Sequence, residues 1–227
     1  MTSSDPNDRS DPAAALVPLL PTLSRLALAY APARARLPTL ALFALDSRLA
    51  GLLRHSREPM LAQLRLSWWR EMLAQDVAAW PAGDPLLAAL RSWDGAHSAL
   101  VPLVDGWEAL TGAAPLATAS LSAMADGRAA GFAALARVLG RDGEAGRVHT
   151  LGRRWALADL ATRLSHPGEQ AEVRVLLAQE FESGRRVSRA LRPLAVLEGL
   201  ARRQPGGGAE ASVGTLAVAM RLGLFGI

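Results

Sequence analysis

Cysteine and lysine are both absent from this 227-residue chain, and isoleucine occurs once, as Ile227. Without cysteine there are no disulfides and no thiolate metal sites. Without lysine there is no Schiff-base nucleophile and no phosphate-binding loop of the Walker type. The four histidines, His55, His97, His149 and His166, show neither HxxxH nor HExxH spacing, which argues against a zinc centre. Tyrosine occurs once and phenylalanine four times. With leucine and alanine dominant and β-branched residues few, the composition favours helix over an extensive sheet. No 18-residue apolar run is free of charge, so a membrane-spanning helix is not expected. The N-terminus, MTSSDPNDRSDP, has the marks of neither a secretory signal nor an Arg-rich transit peptide. A cytoplasmic protein is expected.

All 25 basic residues are arginine, against 21 acidic residues, giving a formal charge of +4. They are spread along the chain. Small clusters such as Arg153-Arg154, Arg185-Arg186 and Arg202-Arg203 read as solvated helix faces rather than a nucleic-acid footprint. Half of the residues are hydrophobic, enough for a sizeable core.

The stretch around which the chain is organised is EPMLAQLRLSWWREMLAQD, residues 58–76. Pro59 suits a first helical turn and Glu58 lies at the positive end of the dipole. Leu61, Leu64, Trp68 and Met72 recur at spacings of three and four and are expected to form the buried face, widened by Leu73 and Trp69. Arg65 and Trp69 are four apart, so the guanidinium is placed to stack on the ring and reach an anion. The plainer reading is a core helix with two tryptophans as packing mass.

Other helices are expected over 13–30, interrupted by Pro18 and Pro21, and over 38–54, with Asp46 at a costly mid-helix position. Further helices are expected over 85–93, around Asp105 and Glu108, and over 116–140, 146–164, 169–189, 191–203 and 212–222. Asp105 and Glu108, at i and i+3, share a face and could hold Mg²⁺ through water; the plainer reading is ordinary exposed acids. Gly127 and Gly131, among small neighbours, allow close helix packing or leave space for a ligand. Residues 1–12 read as disordered and 204–210 as a flexible loop. Residues 13–227 then form one all-α helical bundle.

Three stretches together resemble the squalene/phytoene synthase family. The first is LALAYAPARARLPTLALFALDSRLA followed by REPMLAQLRLSWWREML. It is similar to that family's first region in the form seen in its respiratory complex I assembly-factor branch, of the type AP…R, AFN.ELA, then EP….(I/M)RLQWWR. The matching residues are Ala31-Pro32, Arg36, Phe43, Leu49-Ala50, Glu58-Pro59, Arg65-Leu66 and Trp68-Trp69-Arg70. The second is LVDGWEAL (103–110), and the third is LGRRWALADLATRLSHP (151–167) with RPLAVLEGLARR behind it.

The resemblance implies an isoprenoid-synthase-like bundle around a central cavity. Catalytic members join two prenyl diphosphates head to head, with Mg²⁺ held by two Asp-rich helices neutralising the departing diphosphate. This sequence departs there. The positions of the first Asp motif fall near Arg48, Leu49 and Leu52, leaving Asp46 as the acid of that helix. In the second motif Asp159 stands near the Asn position and Thr162-Arg163 near the family's Arg-Asp pair, so neither helix presents the carboxylate cluster that Mg²⁺ would require. The resemblance therefore points to a non-catalytic member. Such a protein would bind an isoprenoid, a lipid diphosphate or a protein partner, in the biogenesis of a membrane respiratory complex and peripheral to the inner membrane. Arg48, Arg65, Arg70 and Arg154 are its candidate anion holders, with Trp69 beside them. The alternative is an active Mg²⁺-dependent farnesyl or geranylgeranyl diphosphate transferase using Asp46, Asp105, Glu108 and Asp159 in a reduced site.

Overall fold

A computed structural model describes residues 12–55, 58–180 and 186–203. Among them are ten α-helices and no strand: α1 (Pro12–Leu16), α2 (Thr22–Leu28), α3 (Ala33–His55), α4 (Pro59–Ala74), α5 (Pro85–Leu90), α6 (Val101–Glu108), α7 (Thr118–Val138), α8 (Ala145–Arg163), α9 (Pro167–Gln179) and α10 (Arg192–Ala201). The all-α class expected from composition is the class observed. The expected helix at 212–222 and loop at 204–210 lie outside the described residues. So does most of the N-terminal segment 1–12.

Helix boundaries follow local chemistry. Asp84 caps α5 by accepting from the N–H of Leu86 (2.7 Å) and of Leu87 (3.3 Å), and Pro85 occupies the first helical position. Gly140, with φ of +65°, turns the chain out of α7. α3 begins at Ala33, five residues before the expected start, so Pro38 sits inside it rather than in its first turn. The interior proline removes one donor from the ladder, and the Pro38 carbonyl is used by Trp93, whose indole N–H donates to it at 3.1 Å. α9 ends at Gln179, ten residues short of the expected limit, because Glu180 turns to extended backbone.

α7 is the axis of the bundle, packed along α6 on one side and α8 on the other. Glycines set how close they come. A Cβ on Gly127 would lie 2.3 Å from the Pro102 carbonyl oxygen, and one on Gly152 would lie 2.9 Å from both Ala129 Cα and Phe132 Cγ. The small residues of α7 therefore serve close helix packing. One apolar cluster runs through the bundle, from Leu16 in α1 to Leu200 in α10.

α4 corrects the expected face. Its buried residues are Ala62, Leu66, Trp69, Met72 and Leu73, whereas Leu61, Leu64 and Trp68 are exposed. The helix carries two apolar stripes, each at helical spacing. Periodicity alone cannot choose between them, and the stripe containing the small Ala62 faces the bundle. Arg65 does not stack on Trp69, whose ring is buried edge-on to Trp68 at 5.0 Å.

Candidate functional site

Asp46 from the middle of α3, Arg128 from α7 and Asp159 from α8 meet at the floor of a cavity of about 400 Å³. That volume lies in the range of small-molecule sites. Arg128 is 2 % exposed. Its Nε and Nη2 donate to the two oxygens of Asp46, each at 2.9 Å, and its Nη1 donates to Asp159 Oδ2 at 2.6 Å. The Trp107 indole N–H, from α6, also donates to Asp46 at 2.9 Å.

The guanidinium lies over two indole rings, 4.8 Å from the centre of Trp107 and 4.3 Å from that of Trp155. Trp155 is held by stacking on Phe132 at 5.1 Å. Trp155 and Asp159 are four apart on α8 and so share the face that meets Arg128. The contact of α6 with Gly127 brings Trp107 over the residue next to it. Asp46 thus has partners for its mid-helix charge.

Electrostatics in this cluster are settled by pairing. Burial by itself pulls the Arg128 proton affinity down, but the charges of Asp46 and Asp159 and their hydrogen bonds outweigh it and hold the group above the ordinary arginine value. Burial pushes the Asp159 carboxyl up; the opposing charges of Arg128 and Arg163 outweigh that and hold it below its ordinary value. Arg163 completes the cluster from the next turn of α8, donating to Asp159 Oδ1 at 2.7 Å. Two carboxylates and two guanidiniums cancel. Arg54, at the end of α3, also lines the cavity and adds a cation. The remaining wall combines apolar Leu23, Ala50, Ala158 and Leu197 with the hydroxyls of Thr22, Ser24, Ser47 and Thr162.

This donor set does not fit Mg²⁺. Both carboxylates are already bonded to a guanidinium that keeps its proton, and a divalent ion beside it would meet a fixed positive charge. Among the described residues no group of three or more histidine, aspartate or glutamate side chains is placed to hold a metal ion.

The other residues singled out from the sequence lie in separate places. Arg70 donates to Asp105 Oδ1 from Nε at 2.9 Å and from Nη2 at 2.6 Å, and also to Glu108, so the i, i+3 acid pair is engaged by an arginine of α4. These hydrogen bonds raise the Arg70 pKa. Arg154 is buried and donates to Glu198 at 3.2 Å. Arg48 lies 3.9 Å from Asp84 and, with Arg65, lines a second cavity of about 320 Å³. Trp69 belongs to the core. Of the nine sequence candidates, the structure brings Asp46 and Asp159 together in the main cavity.

Sequence reasoning missed Arg128, Arg54, Trp107 and Trp155 as site residues. Arg128 had a signal: it is the one full charge within the small-residue run GRAAGFAALA, where close packing would exclude solvent. Comparison with protein-family models, curated proteins and solved structures finds no match for this chain.

Proposed function

We propose that this chain is a non-catalytic binding protein of the squalene/phytoene synthase type, whose cavity takes an anionic amphiphile of the isoprenoid or lipid class. One observation carries the reading: Arg128 is bonded to both Asp46 and Asp159, the acids that the resemblance places in the two metal-binding helices. An internal guanidinium thus neutralises the acids that remain in those two helices. The cavity retains apolar walls for a chain, and Arg54 and Arg163 with nearby hydroxyls suit an anionic head. The similarity of residues 31–70 to the assembly-factor branch supports a role in the biogenesis of a membrane respiratory complex, with a protein partner.

The test is pyrophosphate release from purified protein given farnesyl or geranylgeranyl diphosphate, with and without Mg²⁺, alongside the melting temperature. The expected result is no release, and a melting temperature that rises with ligand concentration. Turnover that needs Mg²⁺ and is lost in Asp46→Ala and Asp159→Ala overturns the reading in favour of a prenyltransferase. Absence of any ligand effect on melting points to a purely structural adaptor.

A further inference from the structure

The charges that line the main cavity are unevenly placed. Asp46 and Asp159 lie at its floor, with 13 % and 15 % of their side chains exposed. Arg54 and Arg163 are exposed and stand at its mouth. Arg54 follows Asp46 on α3 by two helical turns, about 12 Å along the axis. Arg128 is bonded to both aspartates, and Arg163 to Asp159. Arg54 makes no ion pair or hydrogen bond among the described residues. Three arginines and two aspartates thus line the cavity, leaving one positive charge uncompensated, and that charge is at the mouth.

This arrangement discriminates between heads. A carboxylate carries one charge and two oxygens, which a guanidinium fork meets with two parallel hydrogen bonds. It cancels Arg54 and leaves nothing over. A phosphate monoester carries about −1.5 to −2 at pH 7, and a diphosphate more. The donor set does not fit the Mg²⁺ that would absorb that excess, and the other two arginines are already committed to aspartates. The surplus charge would therefore face Asp46 and Asp159 across the cavity without a counter-ion of its own. A neutral alcohol, in contrast, leaves Arg54 unused. Leu23, Ala50 and Leu197 provide apolar wall for a hydrocarbon tail.

We infer that the cavity selects an amphiphile with a singly charged carboxylate head, held at the mouth by Arg54, and discriminates against a diphosphate. The inference rests on the reading of the cavity as a binding site and narrows it to one kind of head.

The experiment is calorimetric titration of the full chain with four probes: farnesol, farnesoic acid, tetradecanoic acid and farnesyl diphosphate, each with EDTA and again with Mg²⁺. A carboxylic acid is expected to bind tightest, at least about fivefold more tightly than the diphosphate, with or without Mg²⁺. Which acid leads tells an isoprenoid source of the head from a fatty one, and either meets the expectation. Arg54→Gln, at an exposed position, lowers the affinity for the acid about threefold to fivefold and leaves farnesol unchanged, and added salt has the same effect on the parent. Thr162→Arg, which adds a second cation at the mouth, narrows the gap between acid and diphosphate. Diphosphate binding as tightly as the acid in EDTA overturns the inference and leaves the binding-protein reading standing. So does farnesol binding as tightly as the acid with no effect of Arg54→Gln. A diphosphate preference that appears only with Mg²⁺ overturns the inference and the metal-free site together. No binding of any probe by the folded protein removes the proposed function itself, and the inference with it.

Discussion

Arg128 and Asp159 are joined by a 2.6 Å hydrogen bond from the middle of α7 to the C-terminal part of α8, with the arginine side chain almost wholly out of solvent. Such a charge is tolerable because it is paired: two carboxylates accept its hydrogen bonds and two indole ring centres lie 4.8 and 4.3 Å from it. The relationship makes the floor of the cavity a stability determinant as well as a boundary of the proposed binding site.

Removing the guanidinium leaves Asp46 without a cation and Asp159 with Arg163 alone. Arg128→Met is expected to destabilise the fold by about 3–5 kcal/mol. Neutralising the acids as well, in Arg128→Met with Asp46→Asn and Asp159→Asn, is expected to recover much of that loss, because the penalty lies in the stranded charges. Urea unfolding of the two variants measures it; equal destabilisation would show that packing of the side chain, not its charge, is what matters.

Acid stability follows from Asp159. Its folded-state pKa is depressed below the ordinary carboxylate value of 3.8. Its contribution is therefore fully present above about pH 4 and is lost as the pH falls through the lower folded value. The protein should lose stability progressively below about pH 4, and Asp159→Asn should flatten that part of the profile while lowering stability at neutral pH. Melting temperatures between pH 2.5 and 7 test the sign: a variant with an unchanged acid limb assigns the effect to other carboxylates.

The crossing of α6 and α7 has no room for a side chain. Gly127→Ala is expected to cost about 1–3 kcal/mol or more, since backbone rather than a flexible side chain stands in the way. Gly131→Ala should be milder, because its new methyl meets the end of the Leu42 side chain at 3.1 Å, and Gly143→Ala, with open space around it, should be close to neutral. Chemical unfolding of the three variants should reproduce that order.

The cavity predicts how ligand stabilisation is lost. Ala158→Trp places a large ring in the cavity wall and should abolish the rise in melting temperature produced by farnesyl diphosphate. Arg54→Glu should weaken that rise through repulsion of the anionic head, without changing the melting temperature of the free protein by more than about 2–4 °C. Unaltered ligand response in both variants would place binding elsewhere on the molecule.

Much of this architecture was legible in the residues. Leucine- and alanine-rich segments punctuated by proline and glycine established the all-α class and most helix positions. Asp46 was marked as a carboxylate out of place in a helix, and Asp159 as an acid near the Asn position of the later motif. Local signals failed where they were degenerate: α4 has two apolar stripes of equal periodicity, and Pro38 is compatible with a helix start or, at the cost of one hydrogen bond, with a helix interior.

The sequence by itself determined which segments are helical, because propensity, capping and turn chemistry act within a few residues. It also determined which chemistry is absent, because no fold supplies a missing thiol or amine. The tertiary structure alone decided that Arg128 bridges Asp46 and Asp159, residues 82 and 31 positions away. It also decided that Arg70 engages Asp105 and Glu108, and that the Trp68 side of α4 faces outward. These are long-range choices. They depend on which helix faces meet and how closely the glycines let them approach, and no local spacing encodes that.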